Sequence, residues 1–304
     1  MRDGQSFLVL GATGLHGGTG HFVASELKTR GYDVRALVRR DDDRARALAA
    51  SGIETIVGDL HDRRSLAPAL AGVTAAYFTY PIAAGVVDGA ANFAAAARDA
   101  GVKQVVVMSM GVSQPDGPSE LGRAHWLAEE VLQWAGLATI NLRVAALFAE
   151  NIELLHRQDL AESGVLRNSF GDAPLSWITG DDAGRLAVAA LLHPERLEGE
   201  TTIYPSGGAQ VSHGEIAQAL TEKLGRLIRH ETVSRREWAD VLTQRSLRDG
   251  RLNPAMADHI SSVGVALRRS IPMNELFERI TGEKPTSILD VIRSGRLGSA
   301  LGSP

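Results

Sequence analysis

The sequence contains no cysteine, and only four lysines occur among its 304 residues. The lack of cysteine excludes disulfides, thiolate nucleophiles and cysteine-ligated metal sites. The formal net charge is -4, so no global positive field favours a nucleic acid or an anionic membrane as a partner. No apolar run is long enough to span a membrane, and the polar N-terminus does not predict a signal peptide. We expect a cytoplasmic protein with a small-molecule substrate and no nucleic-acid or membrane partner.

Short apolar runs alternate with amphipathic segments through the first half of the chain. The runs predicted as strands are residues 7–10, 33–38, 54–57, 73–79, 104–109 and 139–142. Helices are predicted at residues 20–30, 42–50, 63–70, 87–100 and 123–135. Strands separated by one helix each predict right-handed crossovers, and therefore a doubly wound α/β fold with a parallel sheet.

This alternation ends after Arg143, where loops and shorter helices begin. Helices are predicted near residues 182–192 and 213–224, and a further β-like run covers residues 201–204. We therefore divide the chain into a nucleotide-binding domain at residues 1–145 and a smaller α+β substrate lobe at residues 146–304. The chain is expected to cross back to the sheet at about residues 181–204, because no Pro- or Ser-rich linker separates the two parts.

The strongest signal for chemistry is a glycine-rich loop between the first strand and the first helix. Residues 11–20 read Gly-Ala-Thr-Gly-Leu-His-Gly-Gly-Thr-Gly. Glycines at a strand-to-helix turn let backbone amides approach a pyrophosphate at the positive helix end, although a simple tight turn is the alternative. The residues predicted to contact a dinucleotide here are Gly11, Thr13, Gly14, Leu15, His16, Gly17 and Gly18.

The loop and several later segments resemble the NmrA-like branch of the atypical short-chain dehydrogenase/reductase superfamily. The matching segments in the first half are the glycine loop and residues 34–39, 57–60 and 102–109; those in the second half are residues 136–143, 148–151, 177–182 and 281–286. The resemblance implies a Rossmann domain with a small C-terminal substrate lobe. It also implies either an NADPH-dependent reductase of quinones, enones and related compounds, or a redox-sensing regulator without turnover. The loop is about three residues longer than the family pattern, with Gly18-Thr19-Gly20 in excess, which leaves open which glycine contacts which phosphate.

Two features beyond the loop concern the cofactor. Arg39 and Arg40 stand at the end of the second strand, where an acidic residue would hold a ribose diol, and guanidinium groups suit a 2′-phosphate. NADP(H) is therefore predicted, unless the arginines are solvated or paired with the acids at residues 41–43. Asp59 and Leu60 match a family Gly-Asp-Leu motif and are predicted to flank the adenine, although Asp59 could instead cap the next helix.

Residues at the ends of the fourth and fifth strands are predicted to line the same ligand site. Thr79, Tyr80 and Pro81 end the fourth strand, and ligands bind at the carboxyl ends of parallel strands. Tyr80 is a candidate for cofactor contact and catalysis, or else a half-buried packing residue. Ser109, which ends the fifth strand, is a candidate to contact the cofactor and to hydrogen-bond a substrate oxygen, or else a strand-terminating hydroxyl.

None of the four tyrosines is followed four residues later by lysine, so the conventional Tyr-x-x-x-Lys proton donor of the superfamily is absent. His125 falls where many NmrA-like reductases carry an active-site lysine, and where the type 2 quinone oxidoreductases carry a histidine. Histidine donates protons near neutral pH, so His125 is predicted to contact the cofactor and to act in catalysis. The alternative is a helix-surface histidine paired with Glu129. A metal site at these two residues lacks a third ligand, and none is predicted.

Four residues are predicted to contact a flat substrate: Met110, Phe148, Asn151 and Trp177. Asn151 could instead cap a helix, and the two aromatic residues could instead be core residues. The sequence thus predicts an NADPH-dependent oxidoreductase that reduces a quinone, enone or ketone by hydride transfer. An NADP(H)-sensing regulator is the alternative. A homodimer is compatible with the sequence, which does not specify the oligomeric state.

Overall fold

The computed structural model describes residues 4–14, 17–267 and 272–297. Its strands are β1 (Ser6–Leu10), β2 (Asp33–Val38), β3 (Glu54–Val57), β4 (Ala75–Phe78), β5 (Gln104–Met110), β6 (Ala138–Val144), β7 (Leu147–Phe148), β8 (Val165–Asn168), β9 (Leu175–Ile178), β10 (Thr202–Ile203), β11 (Ala209–Val211) and β12 (Arg229–Thr232). The α-helices are α1 (Thr19–Thr29), α2 (Asp43–Ala50), α3 (Arg63–Leu70), α4 (Val86–Ala100), α5 (Glu120–Trp134), α6 (Asn151–Ser163), α7 (Gly180–Leu192), α8 (His213–Leu224), α9 (Arg235–Ser246), α10 (Pro254–Ala266), α11 (Leu276–Thr281) and α12 (Ile288–Ser294).

Seven strands form one parallel sheet in the order β10-β6-β5-β4-β1-β2-β3. Its central strands are buried on both faces, which explains their continuous apolar sequence. One core lies on one face of the sheet, between the strands and helices α1 and α7. A second core lies on the other face, between the strands and helices α3, α4 and α5. The predicted doubly wound, Rossmann-like α/β fold is confirmed.

The strand order reverses between β1 and β4, which are neighbours in the sheet although five elements separate them in the chain. Ligands of doubly wound folds bind at the carboxyl ends of the strands that flank such a switch point. The glycine loop after β1 and the Thr79–Pro81 segment after β4 therefore meet at the same place.

The C-terminal part of the chain builds two small sheets, with strand orders β11-β9-β7 and β12-β8, and packs them with helices α6, α8, α9, α10 and α12. The chain also returns to the large sheet: α7 packs against α1, and β10 pairs with β6. The division near residue 145 stays a prediction. Within the described ranges, no helix combines the length and apolar character that crossing a membrane requires.

Helix capping explains where α5 begins. The helix was predicted from residue 123, but it begins at Glu120 because the Ser119 hydroxyl accepts a hydrogen bond from the Gly122 amide at 3.0 Å. Helices α9 and α10 were not predicted. In α9 only Trp238 and Leu242 are buried, so its apolar stripe is too narrow to show a clear period.

Candidate active site

A cavity of about 1060 Å³ extends from the carboxyl edge of the large sheet to helices α6 and α10 of the C-terminal part. It brings together most of the residues predicted from the sequence. Those lining it are Gly11, Thr13, Gly14, Arg39, Asp59, Leu60, Thr79, Tyr80, Pro81, Ser109, Met110, His125, Phe148, Asn151 and Trp177. Gly17 and Gly18 do not line the cavity, and the predicted contacts Leu15 and His16 lie outside the described residues.

The glycine loop is held by close backbone packing. Gly11 has φ +70°, and a Cβ on it would lie 2.4 Å from Cγ2 of Thr79. A Cβ on Gly20 would lie 2.5 Å from the carbonyl carbon of Gly11, so Gly20 permits α1 to pack directly on the loop. Gly20 therefore has the helix-packing role of the third fingerprint glycine, and the extra residues lengthen the turn before α1. The N-terminus of α1 is left beside the cavity, where its dipole favours an anion.

Phe148 connects the C-terminal part to the glycine loop. A Cβ on Gly17, whose φ is +68°, would lie 3.2 Å from the Phe148 ring. A Cβ on Gly180, the first residue of α7, would lie 1.4 Å from the Gly17 carbonyl oxygen, so these backbones are in direct contact. Since Phe148 also lines the cavity, it forms a wall shared by the glycine loop and the predicted substrate site.

The arginines after β2 are available for a ligand. Arg39 and Arg40 are exposed, line the cavity and make no ion pair within the part of the chain that the structure describes. The acids that could have paired with them are engaged elsewhere, since Asp42 binds Arg44, and Asp41 and Asp43 bind Arg46. Sequence reasoning missed Arg44, which lines the cavity and donates a hydrogen bond of 2.8 Å to the Thr13 carbonyl.

Asp59 does not cap the helix that follows it. The N-cap of α3 is Asp62, whereas Oδ1 of Asp59 accepts a hydrogen bond from the His61 amide at 2.9 Å. This turn leaves the exposed Asp59 carboxylate at the cavity. The alternative of Asp59 as an N-cap is therefore wrong, and its adenine contact stays a prediction.

The Tyr80 hydroxyl is engaged by protein groups. It lies 2.8 Å from Nε2 of His61 and 3.2 Å from the Ala84 carbonyl oxygen, to which it donates. Burial raises the pKa of Tyr80, while the nearby Arg39 charge opposes that rise and the Asp59 charge adds to it. Tyr80 thus lies at the arginine-lined end of the cavity, where it fits cofactor contact better than proton donation.

Ser109 belongs to a buried polar network at the end of β5. Its hydroxyl donates to Oε1 of Glu129 at 2.5 Å and lies 2.9 Å from the Ser113 hydroxyl. Glu129 also accepts from Arg143, at 2.9 Å from Nε and 2.5 Å from Nη2. Burial raises the pKa of Glu129, and the hydrogen bonds from Arg143 and Ser109 oppose that rise. Because its hydrogen points to Glu129, Ser109 offers the cavity a lone pair rather than a donor.

His125 is not the surface partner of Glu129, because that carboxylate is occupied by Arg143 and Ser109. The ring is only 5% exposed, lines the cavity and has an enclosed Nε2 without a hydrogen-bond partner in the described structure. Burial lowers its pKa to about 3, with a contribution from His259. This lowered pKa favours a neutral ring near pH 7 rather than an imidazolium. The catalytic role of His125 and its contact with a ligand stay predictions.

The predicted substrate residues occupy the deeper cavity. Asn151 is the first residue of α6 rather than its cap, and its enclosed Oδ1 has no partner among the described residues. Trp177 is 2% exposed and donates to the Val211 carbonyl at 2.8 Å, so it is both a core residue and part of the cavity wall.

Four further cavity residues that sequence reasoning missed are His156, Tyr204, His213 and His259. The first and third are buried against aromatic rings, His156 stacked on Trp238 and His213 packed beside Phe170 and Trp177. Histidines that lie far apart in the sequence give no local signal. Tyr204 had a local signal, since it ends the β-like run predicted at residues 201–204.

The residues present fit a bound NADP(H). The glycine loop leaves no room for a Cβ at Gly11, unpaired arginines stand at one end of the cavity, and His125 and Asn151 present polar atoms without partners within the described ranges. No group of three or more acidic residues and histidines suited to a metal ion is found in the described part of the chain.

Comparisons with known proteins agree with this geometry. The NmrA-like family profile matches residues 4–248. The chain is 34% identical over 240 residues to the NAD(P)H azoreductase of Xenophilus azovorans, covering 78% of this chain and 80% of that protein. It is 27% identical over 290 residues to quinone oxidoreductase 2 of Escherichia coli (strain K12), covering 93% of this chain and 97% of that protein.

A solved structure shows the same fold over almost the whole chain. The NADPH-dependent quinone oxidoreductase QOR2 of Escherichia coli, complexed with NADPH, superposes with a TM-score of 0.79 at 22% sequence identity, covering 95% of this chain and 99% of that one. The glycine loop, the fold and the profile match lead to one conclusion: this chain belongs to the NmrA-like family.

Proposed function

We propose that this protein is an NADP(H)-dependent oxidoreductase that reduces a flat, conjugated small molecule such as a quinone, enone or ketone. The observation that carries the proposal is the single cavity joining the glycine loop and Arg39 to an aromatic-walled end. The azoreductase and quinone oxidoreductase names of two relatives support reduction by a nicotinamide cofactor.

The cofactor's phosphates and ribose are assigned to the first half of the cavity. Amides of the loop at Gly11–Gly14 and the N-terminus of α1 bind the pyrophosphate, and Arg39 and Arg40 bind the 2′-phosphate. Arg44 holds the loop in place through the Thr13 carbonyl. The free guanidinium groups favour NADPH over NADH.

The acceptor is assigned to the space between Phe148, Met110 and Trp177, which supply apolar and aromatic walls. When bound, NADPH supplies the hydride. His125, as a neutral ring, donates a hydrogen bond to the acceptor and polarises the bond that receives the hydride. Ser109 offers only an acceptor lone pair, which suits an amide N–H of the nicotinamide better than a substrate oxygen.

The direct test measures NADPH consumption by its absorbance, with a panel of quinones, enones and ketones as acceptors. We expect rapid consumption with at least one planar conjugated member and slower consumption with NADH at equal concentration. Tight NADPH binding without NADPH consumption in the presence of any acceptor would contradict the proposal and favour an NADP(H)-sensing regulator.

A further inference from the structure

Tyr204 lies directly after β10, at the carboxyl end of the edge strand of the large sheet, and it lines the cavity. The register of β10 on β6 places Tyr204 beside Arg143, and the register of β6 on β5 places Arg143 beside Ser109. These three side chains form one row across the sheet, on the side where Glu129 of α5 contacts Arg143 and Ser109.

The hydrogen bonding of the Tyr204 hydroxyl is asymmetric. Its oxygen accepts a hydrogen bond from Nη1 of Arg143 at 2.5 Å. No group in the described part of the chain accepts the hydroxyl hydrogen in return. A phenol carries one hydrogen, so the hydrogen of Tyr204 is left for a group in the cavity. The Tyr80 hydroxyl, by contrast, is already bonded to His61 and Ala84.

Arg143 is fixed where a phenolate would need a positive charge. Its side chain is 12% exposed, and its Nε and Nη2 are bound by the Glu129 carboxylate, leaving Nη1 for Tyr204. A guanidinium remains charged at every accessible pH, and a charge-assisted hydrogen bond strengthens when its acceptor becomes an anion. Arg143 thus supplies to Tyr204 the cationic support that no lysine supplies in this chain.

We propose that Tyr204 is the catalytic proton donor of the reduction and that Arg143, held by Glu129, is its positioning residue. The proposal rests on the proposed function, since it assigns the proton that accompanies the hydride. His125 then polarises the acceptor as a neutral hydrogen-bond donor, and its ring keeps its own hydrogen.

The reduction moves one hydride from NADPH and one proton from Tyr204 to the acceptor. The acceptor gains a hydride, and the electron pair of its reduced bond moves onto its oxygen. The O–H bond of Tyr204 breaks as a new O–H bond forms on that oxygen. The acceptor has then gained one hydride, which carries the two electrons of the reduction, and one proton. The phenolate of Tyr204 remains bonded to Arg143 and takes a proton from water after product release. The oxidant is the acceptor and the reductant is NADPH.

The test compares two acceptors that differ in their need for a proton. The first, 2-methyl-1,4-naphthoquinone, needs a proton on oxygen when it takes a hydride. The second, the malachite green cation, takes a hydride at its central carbon and becomes neutral without a proton. In single-turnover mixing with NADPH-loaded protein, Tyr204→Phe should slow quinone reduction by about a hundredfold, within the usual range for general acid catalysis, and leave dye reduction within about twofold.

Cofactor affinity provides a readout that is independent of activity. The dissociation constant for NADPH, measured by fluorescence titration, should be unchanged in Tyr204→Phe. Tyr32→Phe is the matched control, because Tyr32 packs edge-on against Phe7 in the core and does not line the cavity. This control should leave both rates and the dissociation constant unchanged.

Arg143→Lys tests the positioning role, because lysine keeps the charge but cannot bind Glu129 and Tyr204 in the same geometry. It should lower kcat for the quinone more than it changes KM, and leave the dye within about twofold. Adding Tyr204→Phe to Arg143→Lys should then lower the quinone rate little further, since both substitutions disrupt the same proton-donating pair.

The rates with the two acceptors and the NADPH affinity separate the role of Tyr204 from the proposed function. A quinone rate within twofold of the parent in Tyr204→Phe overturns the role of Tyr204 while leaving the reductase intact, and so does an equal loss with quinone and dye. Weakened NADPH binding in this variant would show that Tyr204 acts on the cofactor, which also overturns the proposal. A parent protein that binds NADPH but reduces neither these two acceptors nor any member of the wider panel overturns the proposed function itself.

Discussion

Replacing Arg39 with alanine should weaken NADPH binding and leave NADH binding almost unchanged. Arg39 is exposed and makes no ion pair in the described structure, so its removal breaks no protein contact that supports the fold. The loss is then the charge-assisted bonding to the 2′-phosphate, about 1.5–3 kcal/mol. That free energy corresponds to an increase of about 10- to 150-fold in the dissociation constant for NADPH.

The assay is a fluorescence titration of both cofactors with the parent protein and two variants. Arg293→Ala is the matched control, because it removes the same charge from α12, where the exposed Arg293 pairs with Asp290 and does not line the cavity. This control should shift NADPH affinity by less than about twofold, since salt screens an exposed charge that does not line the ligand site. An equal change for NADPH and NADH in Arg39→Ala would refute the assignment.

Three further predictions concern the buried groups. His125→Ala should slow turnover by about a hundredfold at saturating NADPH, the usual cost of losing a hydrogen-bond donor to developing charge, without changing the NADPH dissociation constant. No rate change between pH 6 and 8 should trace to His125, because burial lowers its pKa to about 3. Parental turnover would exclude a role for His125. Burial also lowers the pKa of His213 to about 3 and that of His156 well below its usual value. The unfolded chain therefore takes up protons that the folded chain does not, and the free energy of unfolding should fall from about pH 6.5 towards pH 3, by about 1.4 kcal/mol per pH unit for each ring. Urea unfolding at pH 7.5 and 5.5 checks this, and the stability of His213→Phe should depend less steeply on pH. Equal stability at both pH values would contradict the prediction. Glu129→Ala should lower the free energy of unfolding by about 3–5 kcal/mol, because it leaves the guanidinium of Arg143 buried without its partner. A loss below about 1 kcal/mol in urea unfolding would show that this ion pair adds little to the stability of the fold.

The large sheet could be predicted because each of its central strands is buried on both faces and reads as a continuous apolar run, as Phe7–Leu10 does. The cofactor end of the cavity could be predicted for a related reason. Gly11 and Thr79 follow their strands directly, so locating the strands also located the ligand edge.

The reaction end could not be predicted, because it depends on contacts between distant elements. Glu129 is 14 residues from Arg143, and Arg143 is 61 residues from Tyr204. The packing of α5 on the sheet brings Glu129 to Arg143, and the register of β10 on β6 brings Tyr204 there. The burial of His125 also escaped prediction, because α10 covers it and the sequence of α10 gave no clear helical signal.

Single-turnover transfer from C4-deuterated NADPH tests the central claim most directly. The protein is loaded with unlabelled or labelled NADPH and mixed without oxygen with an acceptor that it reduces, while the cofactor absorbance is followed. If hydride passes directly to an acceptor in this cavity, one of the two stereospecifically labelled cofactors should react more slowly than the unlabelled one, and the other should not. Binding of NADPH with no loss of its absorbance in the presence of any acceptor would contradict the account.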